Sequence, residues 1–253
     1  MTQTPILTTE GLEKRFGGVV AARDISVALH AGETVAVIGS NGAGKTTFVN
    51  MVTGYLKPSA GKISFRGRDI TGMSPRDTAR AGIRRSFQIS QIFPELTALE
   101  NAMIAEIAAL ETKGSLSSHA ITDARMHAAR GVLARFGLEK FADTRVATLP
   151  QGVKKQLDIA MAAVDDPAVI LLDEPTSGVS VDEKISMMES VITPLMNGEG
   201  TVLFIEHDMD IVSRFASRTI AFYEGTILAD GPTEEVLRND EVRKYVIGGT
   251  AHA

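Results

Sequence analysis

The feature that most constrains the fold of this chain is a glycine-rich segment between a strand-like run and a helix-like run. In order, the segment contains Gly39, Ser40, Asn41, Gly42, Ala43, Gly44, Lys45 and Thr46. It follows the apolar run Val35–Ile38 and precedes Thr47–Leu56, whose composition favours a helix. Two glycines separated by four residues and followed by Lys-Thr form the pattern of a phosphate-binding loop. The sequence therefore predicts a strand–loop–helix unit that binds phosphate.

Each part of this segment suits that chemistry. Its glycines let successive backbone N–H groups curve around a phosphate chain, and the following helix directs its positive dipole end at the same anion. Lys45 adds a full positive charge, and the Thr46 hydroxyl is suited to Mg²⁺. We therefore expect Gly39–Thr47 to bind a nucleotide through its phosphates, with Thr46 as a metal ligand.

Composition narrows the remaining possibilities. The 253 residues are 44% hydrophobic and 23% charged, which is typical of a soluble globular protein. A net charge of −5 argues against a nucleic-acid partner, and the absence of cysteine excludes disulfides and thiolate metal sites. We expect no signal peptide, and no apolar run reaches the ~18 residues of a membrane span. Membrane association is therefore expected only through a partner or the protein surface.

Three continuous apolar runs are predicted to be buried strands, and each ends in a polar cluster. They are Thr34–Ile38 before the glycine-rich loop, Ala168–Leu172 before Asp173 and Glu174, and Thr201–Ile205 before Glu206, His207 and Asp208. Continuous apolar strands that alternate with helices predict a parallel sheet covered on both faces. Ligands bind such sheets beyond the carboxyl ends of the strands. The three clusters are therefore expected to converge on one nucleotide.

Other elements are predicted on either side of these strands. Shorter strands are predicted at Ile6–Thr9, Ala22–Leu29, Lys62–Phe65, Thr219–Tyr223 and Thr226–Ala229. Helices are predicted at Leu96–Leu110, Ile121–Phe136, Lys154–Val164, Val181–Leu195 and Glu234–Arg238. A polar Gly/Ser stretch, Lys113–Ser118, separates the first two helices, so this middle part is interpreted as a helical insertion with an exposed loop.

The polar clusters suggest separate chemical roles. Asp173 is placed to hold Mg²⁺, directly or through water. Glu174 is one residue further on, so its side chain takes another direction and could orient or deprotonate the water that attacks the terminal phosphate. His207 could donate a hydrogen bond to that phosphate. The alternatives are solvated loop acids for the first two residues and a helix-capping or satisfied loop histidine for the third.

In their order along the chain, these motifs resemble those of the ATP-binding subunit of an ABC transporter. The resemblance covers nearly the whole chain and rests on the glycine-rich loop, Gln88, Leu149-Pro150-Gln151-Gly152-Val153, Leu171–Thr176 and His207. It implies an α/β fold of the P-loop NTPase (ABC ATPase) type, with a parallel core sheet, an N-terminal antiparallel β subdomain and a helical subdomain. The implied single domain, 1–253, has a RecA-like core with its antiparallel part in 1–86 and 155–240. Residues 87–154 form the helical subdomain, and 241–253 form a C-terminal tail.

The resemblance also assigns roles to residues that carry no signal alone. Phe16 matches the aromatic residue that stacks on adenine in this family, although it could instead be a packing residue. Gln88 matches the glutamine that contacts Mg²⁺ and links the nucleotide to the membrane partner. The segments around Arg84–Asn101, Glu206–Met209 and Glu235–Gly248 resemble the branched-chain amino-acid importer subgroup. The charged pair Arg84-Arg85 could face the groove for the permease or be solvated surface.

The segment Leu149–Val153 departs from the family pattern Leu-Ser-Gly-Gly-Gln, which begins a helix and caps the terminal phosphate bound by the opposite subunit. Leu149 and Gly152 remain, whereas Pro150 takes the serine position, Gln151 a glycine position and Val153 the glutamine position. Proline has neither a hydroxyl nor an N–H, so two donors are lost at one residue. Because proline can suit a first helical turn, the helix dipole can survive.

The resemblance implies that this chain uses ATP and Mg²⁺ to power amino-acid uptake (branched-chain or related) through a separate permease. Since the altered segment would serve the partner's ATP, a heterodimer with an intact second ATPase subunit is favoured over a homodimer. A periplasmic or extracellular solute-binding protein is an indirect partner, and no nucleic acid is expected. The expected location is the cytoplasmic face of the inner membrane, as a peripheral protein.

Other functions compete with this one. A nucleotide-binding regulatory subunit with little or no hydrolysis would also explain the altered segment. A soluble ABC protein that acts on DNA or ribosomes is disfavoured, because those proteins usually carry two cassettes or long coiled-coil insertions. A P-loop kinase is disfavoured because no acceptor-binding lid pattern is present. The solute itself is not specified, since the permease and the binding protein select it.

Overall fold

The computed structural model describes residues 4–86, 92–110, 122–197 and 200–248. The chain divides into two compact units: the first contains the residues up to Ile83 and from Thr201 onward, and the second contains Arg84–Gly200. The proposed helical subdomain, 87–154, falls within the range of the second unit. The predicted Gly/Ser loop, Lys113–Ser118, lies outside the described residues.

The strands and helices fall close to most of the predicted ones. The strands are β1 (Leu7–Phe16), β2 (Val19–Leu29), β3 (Thr34–Gly39), β4 (Ala60–Phe65), β5 (Arg68–Asp69), β6 (Ile83–Ser86), β7 (Val169–Asp173), β8 (Thr201–Ile205), β9 (Arg218–Tyr223) and β10 (Thr226–Pro232). The helices are α1 (Lys45–Val52), α2 (Pro75–Ala81), α3 (Ala98–Leu110), α4 (Asp123–Arg135), α5 (Gln151–Ala162), α6 (Val181–Met196), α7 (Met209–Phe215), α8 (Thr233–Arg238) and α9 (Asp240–Val242). A π-helical turn, Arg243–Gly248, follows α9.

The first unit contains a parallel core and an antiparallel sheet. Strand β3 pairs in parallel with β8 on one side and β9 on the other, and β9 forms an antiparallel hairpin with β10. Every residue of β3 and β8 is buried. This burial agrees with the continuous apolar runs, because strands covered on both faces do not alternate between apolar and polar residues.

The antiparallel sheet has the strand order β2-β1-β4-β5. The sequence predicted its first strand only as far as Thr9, whereas β1 continues to Phe16 with register shifts against β2 after Thr9. Such irregularities add residues to one strand and interrupt the alternation of side chains between the two faces. That interruption explains why the periodicity alone underestimated the length of β1.

The second unit contains the longer helices and β7, with β6 beside β7. A capping box begins α3: the amide of Thr97 donates to Glu100 Oε2 at 2.7 Å, and the amide of Glu100 donates to Thr97 Oγ1 at 3.2 Å. These bonds satisfy amides that a helix start leaves without intrahelical acceptors. Among the residues that the structure describes, no helix is both long and apolar enough to cross a membrane.

Candidate nucleotide-binding site

The glycine-rich loop joins β3 to α1, and backbone contacts on both sides fix its shape. Gly44 is the N-cap of α1 with a φ of 100°, and a Cβ there would lie 2.8 Å from the carbonyl oxygen of Ala21. A Cβ on Gly39 would lie 2.7 Å from the carbonyl oxygen of Phe222. Positive φ and such close approach both require glycine. The two glycines that define the motif pattern therefore have a steric cause within this chain.

The turn between β9 and β10 forms a backbone hydrogen bond with the glycine-rich loop. The amide of Gly225 donates to the carbonyl of Ala43 at 3.1 Å, and the carbonyl of Gly225 accepts from the amide of Arg23 at 2.8 Å. The turn thus connects the glycine-rich loop to β2. No local pattern in the sequence indicated this contact, because its partners are far apart along the chain.

The side chains of the loop fit a phosphate group and a metal ion. Lys45 is only 6% exposed, and its Nζ donates to the carbonyls of Gly39 at 2.6 Å and Ser40 at 3.0 Å. These bonds hold its charge against the loop, whereas Ser40 and Thr46 are exposed. A fixed cation beside an exposed hydroxyl suits a phosphate group and a hard metal ion.

His207 lies at the same edge of the sheet as this loop. Val37 of β3 is paired in register with Ile205 of β8, so the carboxyl ends of these parallel strands lie side by side. Glu206 is buried and His207 exposed, and Glu206 Oε2 accepts from the His207 amide at 3.1 Å. The structure therefore brings together two of the three predicted polar clusters. The burial of Glu206 was not predicted.

Phe16 ends β1 and is 52% exposed. The ammonium of Lys14 lies 5.2 Å from the centroid of its ring. The same ammonium donates to the carbonyl of Lys57 at 2.8 Å. Phe16 is therefore not a core residue, and its ring is about half exposed with a cation beside it.

In the second unit, Asp173 ends β7 and makes a buried ion pair with Arg85. The Nη2 atom of Arg85 lies 2.5 Å from Oδ2 of Asp173. The neighbouring Arg84 instead pairs with Asp165 through two bonds, one of them 3.1 Å long between Nε and Oδ1. The possibility that Arg84-Arg85 is a solvated pair is therefore wrong for Arg85, because the carboxylate of Asp173 draws it into the protein.

Glu174 has a left-handed backbone, with a φ of 47°. This conformation is strained for a residue with a side chain, and such strain is frequent at functional sites. The Glu174 carbonyl accepts from the Ser177 amide at 3.1 Å, so the chain turns sharply as soon as β7 ends. Glu174 therefore lies in a turn with a left-handed backbone, whereas Asp173 is still in the extended backbone of β7.

The altered segment Leu149–Val153 still begins a helix. Pro150 is the N-cap of α5 rather than part of its first turn, and it provides no side-chain cap. Its carbonyl accepts the amide of Lys154 at 3.0 Å. The helix is thus retained without a hydroxyl at its start. Gln88, the remaining predicted ligand, lies outside the described residues.

Residues 22–177 match the family model for the ABC transporter. Because this match spans more than half of the chain, the chain belongs to the ABC transporter family. The ATPase class that the sequence predicted is thereby confirmed, with ATP as its nucleotide.

Among curated relatives, LivG of Salmonella typhimurium is 36% identical over 250 residues, which are 96% of this chain and 98% of LivG. BraF of Pseudomonas aeruginosa is 34% identical over 96% of this chain and 98% of BraF. Both are described as high-affinity branched-chain amino acid transport ATP-binding proteins. These relatives confirm the resemblance to that subgroup, and they favour a transport ATPase over a regulatory subunit.

The fold also matches a solved ATP-binding cassette. The structure of MJ1267 in its ADP conformation, described as an ATP-binding cassette of an ABC transporter, superposes with a TM-score of 0.84. It is 29% identical in sequence, and the match covers 96% of this chain and 98% of MJ1267. The predicted ABC ATPase fold is confirmed.

Proposed function

We propose that this chain is the ATPase subunit of an importer for branched-chain or related amino acids. The observation that carries the proposal is the glycine-rich loop, with its buried Lys45 and sterically required glycines. It occurs in a chain that resembles LivG and BraF from end to end. ATP binding and hydrolysis at this loop would drive a separate membrane permease.

In this proposal the nucleotide is held at both of its ends. Phe16 stacks on the adenine through its exposed ring, because flat aromatic groups pack favourably in offset stacks. The loop Gly39–Thr47 binds the phosphates through backbone amides, and Lys45 neutralises part of their charge. Both groups belong to the first unit, whose fold supports this assignment.

Thr46, Gln88 and Asp173 are the proposed residues for Mg²⁺. All three offer oxygen atoms, which this hard cation prefers. When bound, Mg²⁺ neutralises charge on the phosphates and thereby assists phosphoryl transfer. The buried carboxylate of Asp173 is the charged member of the set and is therefore expected to contribute most to metal affinity.

Glu174 and His207 are the proposed catalytic residues. Glu174 orients the attacking water and accepts its proton, and His207 donates a hydrogen bond to the terminal phosphate. The variant Glu174→Gln should retain ATP binding and lose about 100-fold or more of its hydrolysis rate. Full ATPase activity in this variant, measured with the partner subunit present, would reject the assignment.

The altered segment Leu149–Val153 would face ATP held by a second ATPase subunit. Each lost donor to a charged group costs about 1.5–3 kcal/mol in binding. An intact second subunit would therefore keep the Lys45 site competent, because that site receives its cap from the partner. We accordingly favour a heterodimer over a homodimer.

The remaining partners follow from the transport function. Two such ATPase subunits would dock on membrane permease subunits at the cytoplasmic face of the inner membrane, as peripheral proteins. A periplasmic or extracellular solute-binding protein would deliver the amino acid on the other side. Co-purification of this chain with a permease would support this assembly.

The decisive experiment is transport in proteoliposomes. The reconstituted transporter should accumulate radiolabelled leucine, isoleucine or valine when ATP is enclosed on the side of this subunit. The matched control contains Glu174→Gln in place of the native chain and should bind ATP without uptake. If ATP is hydrolysed but no branched-chain amino acid stimulates hydrolysis or accumulates, the proposed solute class is wrong.

A further inference from the structure

The ion pair between Arg85 and Asp173 has no role in the cycle proposed above. Their side chains are only 7% and 9% exposed, and 2.5 Å separates Nη2 of Arg85 from Oδ2 of Asp173. Arg85 lies in β6, and Asp173 ends the neighbouring strand β7. Two charges taken out of water lose hydration, and their mutual attraction must offset that loss. In a pair so deeply buried, each charge depends on the other for compensation, so any change in the partners of Asp173 also affects Arg85.

Arg85 and the metal would interact with the same carboxylate, if Asp173 holds Mg²⁺ as the proposed function states. A carboxylate has two oxygens with about four lone-pair sites. Arginine on Oδ2 therefore leaves the group able to accept a metal ion or its bound water at Oδ1. Two positive groups on one buried carboxylate repel each other, because little water lies there to screen them.

We propose that Arg85 is the resident counter-ion of Asp173 and competes with Mg²⁺ for it. Without metal, the guanidinium neutralises the carboxylate and fixes its orientation. With metal bound, the charge of Arg85 opposes that of Mg²⁺, weakens the hold of Asp173 on the ion and helps the ion to leave with the products. Arg85 is a positioning residue, since it acts through Asp173.

The adjacent arginine is a matched control within the same strand. Arg84 pairs with Asp165, whose side chain is 34% exposed, and Arg84 itself is 21% exposed. This pair has the same chemistry as Arg85 and Asp173 but involves no proposed metal ligand. An effect on magnesium that is specific to Arg85 therefore cannot arise from a general loss of positive charge in β6.

The test measures metal affinity rather than turnover. Mg²⁺ is titrated into the purified chain carrying a fluorescent ATP analogue, and thermal unfolding is followed in EDTA and in Mg²⁺. Arg85→Gln should bind Mg²⁺ about five- to tenfold more tightly, up to ~1.4 kcal/mol, and should unfold at a lower temperature in EDTA. Adding magnesium and nucleotide should then raise the melting temperature of Arg85→Gln by more than it raises that of the native chain. Arg85→Lys keeps the charge without the planar fork, so its affinity for Mg²⁺ should lie between those of the native chain and Arg85→Gln. Arg84→Gln should keep the native affinity for Mg²⁺.

Other variants separate the possible failures. If Arg85→Gln does not fold in EDTA, the double variant Arg85→Gln/Asp173→Asn should recover folding, because no uncompensated carboxylate remains. A double variant that does not recover would overturn the inference. Unchanged or weaker Mg²⁺ binding in Arg85→Gln would also overturn it, provided that Asp173→Asn weakens binding. If Asp173→Asn leaves Mg²⁺ affinity unchanged, the proposed metal role of Asp173 fails as well.

Discussion

Two helices of this chain begin at segments assigned to phosphate, and their starts are built in different ways. Helix α1 follows a glycine N-cap at positive φ and carries Lys45 and Thr46 in its first turn. Helix α5 follows Pro150, which offers neither a hydroxyl nor an N–H, and its next residue is Gln151. The first start has a charge, a hydroxyl and curved backbone, whereas the second has little more than its helix dipole. Under the proposed function, this chain would be well equipped for its own nucleotide and poorly equipped for its partner's.

The largest effect is expected at α1. Lys45→Ala removes the cation that Nζ hydrogen bonds hold against the carbonyls of Gly39 and Ser40. Loss of one preorganised donor for a developing charge typically costs 10²–10³ in rate, and we expect a fall of about that size in kcat/KM for ATP. The control Lys62→Ala changes an exposed lysine of β4 and should keep native activity. Equal losses in both variants would show that general charge, and not this site, matters.

The next largest effect is expected from Gly44→Ala. A Cβ there would lie 2.8 Å from the carbonyl of Ala21, at a φ of 100°, so the free energy of unfolding should fall by about 2–3 kcal/mol. In Gly42→Ala the φ is 78° but no atom lies within 4 Å of the new Cβ, and the loss should be about 1 kcal/mol. Urea denaturation measures both. Equal losses would mean that the close approach of Ala21 adds nothing.

Pro150→Ser should repair part of the weaker start. Serine restores a hydroxyl and an N–H and is a preferred N-cap residue, so the chain should gain about 1 kcal/mol in stability. ATP hydrolysis at the partner's site should rise by roughly tenfold or more, because one donor to a charged group contributes about 1.5–3 kcal/mol. Pro150→Ala restores the N–H alone and should give a smaller increase. Unchanged turnover in both variants would show that the helix dipole suffices.

Gly152→Ala probes α5 without adding a donor. A Cβ at Gly152 would meet only ordinary contacts, 3.7 Å from Val179, so alanine should stabilise the helix by about 0.5–1 kcal/mol. Gly131→Ala in α4, where nothing lies within 4 Å, should give a similar gain. Only Gly152→Ala should weaken ATP binding at the partner's site, because Gly152 belongs to the segment proposed to face that ATP whereas Gly131 does not. If both variants bind ATP at the partner's site equally well, the start of α5 does not belong to that site.

The smallest effect is expected at Glu106 of α3, away from both helix starts. Burial raises the pKa of Glu106 above its usual 4.5, and the charges of Asp165 and Asp166 raise it further. The folded protein therefore binds more protons than the unfolded chain, and this residue lowers stability as pH rises from 4.5 through the raised folded value. Glu106→Gln should raise the melting temperature at neutral pH by about 1 °C and leave it unchanged at pH 4. An increase in melting temperature that is the same at both pH values would show that the charge of Glu106 is not its cause.

The buried strands could be predicted from the sequence because their signal is local. In β3 and β8 every residue is buried, and continuous apolar runs report such burial directly. Helix α2 was missed although Ser74 caps it and Pro75 begins it, because it is short and only Thr78 is buried, so it has no apolar stripe.

The missing parts of the site depend on contacts between distant residues. The bond between Arg85 and Asp173 joins residues that are 88 positions apart, and neither residue type nor spacing points to the other. The left-handed backbone of Glu174 is equally invisible in a sequence, since glutamate rarely adopts it. Motifs therefore predicted the phosphate-binding and acidic segments, whereas the ion pair and the backbone conformation around them became visible only in the folded chain.

The hydrogen bond from Gly225 to Ala43 has a consequence for biosynthesis. A chain that emerges from the ribosome presents its glycine-rich loop early, but the turn that braces this loop is translated much later. Domains fold as units during synthesis, so the nascent protein would pass most of its translation without a finished phosphate cradle. Truncated products that stop short of Gly225 should therefore fail to capture ATP.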